Sequence, residues 1–144
     1  MLAEIGTLQV EFRYLAEVTG NQEMFNKATE VFKTVRKNNQ MTDGLAPIYV
    51  SPQTGRFTTS RVTFGALGDS WYEYLLKAYI LFGEERDLLM FTEAYTAALR
   101  YLKRGPWYVE VNMLSKKTSW SIFGSLQGFW PALQTLIGDR EQVS

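Results

Sequence analysis

The stretch Gly65-Ala66-Leu67-Gly68-Asp69-Ser70-Trp71-Tyr72-Glu73-Tyr74-Leu75-Leu76-Lys77-Ala78-Tyr79-Ile80-Leu81-Phe82-Gly83 decides the fold. A glycine-rich loop gives way at Asp69 to an aromatic and apolar helix. The helix runs to Phe82, where Gly83 supplies a C-terminal stop. Its ending, Leu81-Phe82-Gly83-Glu84-Glu85, is an apolar close, a glycine and a polar restart. The same sense recurs in Val18-Thr19-Gly20-Asn21-Gln22 and in Leu136-Ile137-Gly138-Asp139-Arg140, with the glycines 63 and 55 residues apart. A tight connection followed by a long one predicts stacked αα-hairpins.

Working outward, Leu2–Thr19 carries Ile5, Leu8, Phe12, Leu15 and Val18 at helical steps, and Asn21 is placed to cap a second helix reaching about Lys37. A fourth helix spans about Glu85–Leu102 and ends at Gly105-Pro106. A fifth runs from about Ser121 to Ile137, with Pro131 positioned to kink or divide it. Between the pairs, Ala46–Val50 and Arg56–Phe64 flank a Ser51–Gly55 turn, and Trp107–Met113 reads as one short strand before a polar turn at Ser115–Thr118. The fold class is therefore all-α with short β-hairpin loops. An α-solenoid and a closed α/α barrel both fit, and the long β-tinged loops favour the barrel. In that barrel helices one, three and five lie inside and two and four outside.

Composition narrows the chemistry. The 144 residues, 46% hydrophobic and 21% charged, suit one globular domain. Fifteen basic and fifteen acidic residues balance, which argues against an electrostatic grip on nucleic acid. There is no Cys and no His, so thiol nucleophiles, histidine triads and thiolate or imidazole metal sites are excluded within this sequence. Carboxylates become the leading acid/base candidates. Lys77 interrupts the best apolar run, which is too short to span a bilayer. Both ends read as cut, the second at Asp139–Ser144 where another helix begins, so residues 1–144 are expected to be a single incomplete domain.

Asp69 and Glu73 sit among Trp71, Tyr72 and Tyr74, an arrangement suited to a sugar site with acid/base work. The plainer reading makes Asp69 an N-cap and Glu73 the partner of Lys77. Trp107, Tyr108, Trp120, Phe129 and Trp130 suit either sugar stacking or the core. Arg13, Arg56 and Arg61 suit ion pairs or the surface. With inner helices short of neighbours, Ile5/Leu8/Phe12 and Phe123/Leu126/Trp130 should leave exposed apolar patches.

Three segments then carry a resemblance. Leu2-Ala3-Glu4-Ile5-Gly6-Thr7-Leu8-Gln9-Val10-Glu11-Phe12-Arg13, Gly68-Asp69-Ser70-Trp71-Tyr72-Glu73-Tyr74-Leu75 and Ser125-Leu126-Gln127-Gly128-Phe129-Trp130-Pro131 together resemble the class I α-1,2-mannosidases, glycoside hydrolase family 47. The resemblance implies a central part of an (α/α)7 barrel roughly three times as long as this chain. It implies calcium-dependent, inverting removal of α-1,2-linked mannose from high-mannose N-glycans in the endoplasmic reticulum or Golgi lumen. The calcium's protein ligand has no counterpart here, and no metal ligand is assigned in this chain. Asp69 matches an active-site carboxylate. Glu4 matches a sugar-binding acid, Leu67 stands where the trimming branch carries a branch-selecting Arg, and Glu73 is grouped with these as substrate-binding.

Phe123-Gly124-Ser125 replaces the trimming enzymes' Met-Asp-His and looks more like the degradation-enhancing branch, whereas Gly44-Leu45-Ala46-Pro47-Ile48-Tyr49 resembles the trimming enzymes. Two catalytic Glu residues of the family lack counterparts, so this piece alone is not expected to hydrolyse anything. The implied partner is a high-mannose N-glycan or glycoprotein, with no nucleic acid, and with a membrane only through regions absent here. A non-hydrolytic mannosidase-like lectin is the alternative, and a helical-repeat scaffold the second. The scaffold reading requires that Glu4 and Asp69 share no cavity.

Overall fold

A computed structural model describes residues 1–39, 43–139 and 141. Helices α1 (Leu2–Thr19) and α2 (Gln22–Asn39) form the first hairpin. Gly20 turns the chain at φ 69°, and Asn21 Oδ1 accepts the Met24 backbone N–H at 3.0 Å. Helices α3 (Asp69–Phe82) and α4 (Glu85–Ala97) form the second hairpin around Gly83, at φ 70°. The α4 helix continues into one π-helical segment, Ala98–Leu102. Gly138 again has positive φ, 79°, after α5 (Trp130–Leu136). A side chain is strained in this backbone region, so glycine marks all three stops. The helix expected to begin within Asp139–Ser144 falls mostly outside the described residues.

The fifth helix departs from its sequence reading. It does not start at Ser121: a 3₁₀ segment, Ser125–Phe129, precedes α5, and Gly124 before it is extended. Pro131 explains the division. It lacks an N–H and is tolerated only in a first helical turn, so α5 begins at Trp130.

The two long loops meet in a sheet. Strand β1 (Arg61–Val62) pairs antiparallel with β4 (Glu110–Asn112), and β4 pairs with β5 (Thr118–Trp120). A second hairpin joins β2 (Lys103–Arg104) to β3 (Trp107–Tyr108) across Gly105-Pro106. The single strand expected over Trp107–Met113 is thus two, broken at Val109, whose N–H turns back to the Leu102 carbonyl at 2.9 Å. The hairpin expected around Ser51–Gly55 is reduced to one bridge, Val50 with Phe57.

Helix α1 packs on both α2 and α3, and α3 packs on α4. At Gly6 the α1 and α3 backbones touch: a Cβ there would lie 2.8 Å from Trp71 Cα. A buried ion pair ties the hairpins together, Arg13 of α1 to Asp87 of α4, both side chains fully buried. Gln9 Oε1 accepts the Arg13 Nε–H at 3.1 Å, while Gln9 Nε2 donates to the Ala28 carbonyl of α2 at 2.9 Å. The guanidinium lies 5.4–5.8 Å from the ring centres of Phe25, Phe32 and Phe82. Beyond it the core is aromatic, with Trp130 stacked on Phe64 at 3.8 Å and on Tyr95 at 5.5 Å.

Candidate functional site

Each long loop delivers the chain to the start of an odd-numbered helical element. The first turn of α1 leaves N–H groups without intrahelical partners. The loop before α3 satisfies two of them: Ile48 O accepts from Leu2 N at 2.9 Å, and Leu67 O accepts from Ala3 N at 3.0 Å. To make that contact Leu67 adopts φ 77°, a strained value for a residue with a Cβ. The starts of α1 and α3 are therefore fastened together at the loop-rich end, and Glu4, Leu67 and Asp69 are held there by backbone.

The side chains differ more than the backbone does. Asp69 is not the N-cap, a place Gly68 holds, but the first residue of α3. There its charge is favoured by the helix dipole. Asp69 Oδ1 accepts the Ser70 N–H at 3.0 Å, and among the described residues the carboxylate has no ion-pair partner. Glu73, one turn on, is paired with Lys77 Nζ at 2.6 Å, the geometry of a helix-surface ion pair. Exposed Glu4 binds the terminal ammonium of Met1 at 2.6 Å. It lines a groove of about 1010 Å³ between α1, α2 and the Ser51–Gly55 turn, whose apolar wall includes Leu8, Phe12 and Val31. Asp69 does not line that groove. The structure gathers the backbone of these positions without turning the two carboxylates into one cavity.

The aromatics separate into two sets. Trp130 is core, Tyr108 and Phe129 are half-buried, and Trp107 and Trp120 are each 56% exposed. Among the arginines, Arg13 is buried in its ion pair and Arg56 is exposed. Arg61 grips Glu110 through two bonds of 2.8 and 2.7 Å, which raise its already high pKa. Burial pushes the Tyr72 hydroxyl well above its ordinary value, and Tyr95 shifts the same way through burial and its 2.5 Å bond to Asp139. The sequence reading missed the buried polar residues Gln9, Asp87, Glu110, Gln127 and Gln134. Its one available signal was Asp87 in the first turn of α4, with Arg13 of α1 the arginine set amid aromatics. Among the described residues no three acidic side chains converge as a cation site.

The Glycosyl hydrolase family 47 profile matches residues 1–143. The chain belongs to that family. It is 44% identical over 134 residues to Alpha-mannosidase I MNS4 of Arabidopsis thaliana, covering 93% of this chain and 21% of that protein. It is 42% identical over 105 residues to the endoplasmic reticulum mannosyl-oligosaccharide 1,2-alpha-mannosidase of Saccharomyces cerevisiae, covering 71% of this chain and 18% of that protein. It is 34% identical over 141 residues to human ER degradation-enhancing alpha-mannosidase-like protein 2, covering 98% of this chain and 24% of that protein. The chain thus spans about a fifth to a quarter of the length of these relatives.

Proposed function

We propose that the chain is a central part of an α-1,2-mannosidase domain that trims mannose from high-mannose N-linked glycans in the lumen of the endoplasmic reticulum or Golgi, as inverting glycosidases do. The observation that carries this is Asp69: a half-buried carboxylate with no counter-ion among the described residues, on the first turn of an aromatic helix, at the end where the long loops gather. Inversion needs one carboxyl to protonate the departing oxygen and another to activate water, about 6.5–9.5 Å apart. In this reading Asp69 fills one such role, acting directly or through one water. Glu4, which faces the α1–α2 groove and not the cavity side of Asp69, contacts the glycan away from the sugar at Asp69, a placement the scaffold reading shares. Leu67 and Glu73, the latter bonded to Lys77, contact it from the start of α3. The second carboxylate and calcium's protein ligand would come from the rest of the domain. Relatives named as an endoplasmic reticulum mannosyl-oligosaccharide 1,2-alpha-mannosidase and as an ER degradation-enhancing alpha-mannosidase-like protein support the compartment and the glycan.

The test is mannose release from a high-mannose oligosaccharide by the longer protein that carries this chain, with the anomer of the freed sugar followed by NMR. Released β-mannose supports the reading. Glycan binding with no release at any enzyme concentration supports the lectin alternative instead.

A further inference from the structure

Val62, Thr63 and Phe64 form a run in which no residue is more than 1% exposed. Val62 pairs with Val111 of β4, and Phe64 is stacked on Trp130 at 3.8 Å. Both neighbours of Thr63 are thus anchored in the core, and Thr63 brings a hydroxyl into an otherwise apolar run. A hydroxyl taken out of water costs free energy unless it is hydrogen-bonded. This one turns back on its own chain. Thr63 Oγ1 accepts the Gly65 N–H at 2.9 Å, a short-range bond by which threonine holds a turn. The Gly65 carbonyl in turn accepts the Gly68 N–H at 3.2 Å and the Asp69 N–H at 3.1 Å. No side chain caps α3, since glycine stands at its N-cap, and the Gly65 carbonyl is the group that meets the first amide of the helix. Thr63 meets the far end of the loop as well: a Cβ on Gly68 would lie 2.4 Å from the Thr63 carbonyl oxygen. The loop that carries Leu67 at φ 77° and delivers Asp69 is therefore closed on Thr63 at both ends.

We propose that Thr63 is a positioning residue for Asp69, acting through the Gly65 peptide. The proposal rests on the function proposed above, in which Asp69 works on the glycosidic bond. The Asp69 carboxylate has no counter-ion among the described residues; it accepts the Ser70 N–H, itself in the first turn, so its place follows the backbone there. An acid/base group must stand within hydrogen-bond reach of its target, and a misplacement of about 1 Å can cost about 10²-fold in rate. Losing the Thr63 oxygen frees the Gly65 peptide to rotate, and the start of α3 loses the carbonyl that fixes it.

Two substitutions separate the oxygen from the bulk. Thr63→Val keeps the branched shape and removes the acceptor; Thr63→Ser keeps the oxygen and removes a methyl group. The experiment measures both, with Asp69→Asn as reference, in the longer protein that carries this chain. Thr63→Val is expected to lower kcat for mannose release about 10–100-fold while the dissociation constant for the glycan changes less than about 2-fold. Thr63→Ser restores most of the turnover. Amide hydrogen exchange over residues 64–71, read by mass spectrometry, should quicken in Thr63→Val and not in Thr63→Ser. Melting temperatures are taken alongside. Turnover that follows the melting temperature across the two variants, in place of the oxygen, overturns the positioning role, as does unchanged exchange in Thr63→Val. If Asp69→Asn abolishes turnover and Thr63→Val spares it, the positioning role falls and the mannosidase reading stands. No mannose release by the unaltered protein, or unchanged turnover in Asp69→Asn, removes that reading and the positioning role with it.

Discussion

The two flanks of α1 invert the usual order. The flank turned toward α3 and α4 carries Gly6, Gln9, Arg13 and Ala16, all buried, whereas Leu8, Phe12, Leu15 and Val18 on the other are 43–62% exposed. The polar flank is inside because each polar group on it has a partner: Arg13 has Asp87 and Gln9, and Gln9 has Ala28 O. The apolar flank is outside because no element among the described residues covers it. Burial here follows from which neighbours are present, not from side-chain hydrophobicity alone. An apolar stripe this continuous is more than a monomer ordinarily leaves exposed.

The largest effect that would break this comparison comes from Asp87→Ala. It leaves Arg13 charged, buried and unpaired, and should lower unfolding stability by about 3–5 kcal/mol in urea titration. A loss under 1 kcal/mol would mean that the ion pair does not hold the hairpins together. Gly6→Ala comes next. Helix propensity alone would favour alanine by about 1 kcal/mol. The 2.8 Å approach to Trp71 Cα reverses that sign, and a net loss of about 1–3 kcal/mol is expected in the same assay.

Tyrosine adds a pH arm. Burial raises the Tyr72 hydroxyl above its ordinary 10.0, so stability is complete below that pH and falls as the pH climbs past it, because the unfolded chain ionises first. Tyr95, raised by burial and its Asp139 bond, adds to the same alkaline loss. Since the Tyr72 hydroxyl has no hydrogen-bond partner among the described residues, Tyr72→Phe should melt no lower at neutral pH and should blunt the alkaline fall. A steeper alkaline transition in that variant would contradict the assignment. The smallest effect sharpens the comparison from the other side. Leu8→Ser with Phe12→Ser should change the stability of this chain by no more than about 0.5 kcal/mol per site while reducing its aggregation in light scattering. In a longer polypeptide that covers the flank, the same changes should cost about 1.5–3 kcal/mol each.

The hairpin plan was legible because it is written locally. Gly20, Gly83 and Gly138 mark stops that need positive φ, and the α1 and α3 limits follow from such signals alone. The start of the fifth helix was not, since helical periodicity continues back through residues that Pro131 forces into a 3₁₀ turn. The Leu8/Phe12 and Phe123/Leu126 exposures follow from treating the odd helices as short of neighbours, but Ile5, packed against the core, and Trp130, covered by Phe64 and Tyr95, escape that reading. Asp69 and Glu73 were legible as a pair. Their difference, one carboxylate bonded to Lys77 and one with no counter-ion among the described residues, depends on side-chain geometry that spacing does not encode. The Arg13–Asp87 link joins residues 74 apart, beyond any local pattern.

The role of Asp69 is tested most directly by Asp69→Asn in the longer protein, with kcat for mannose release and the dissociation constant for the same glycan measured side by side. The account predicts a fall in kcat of ~10²-fold or more with little change in binding. Glu73→Gln, measured in parallel, should act mainly on the melting temperature. Unchanged turnover in a folded Asp69→Asn protein would remove Asp69 from the chemistry and leave it as a first-turn helix residue.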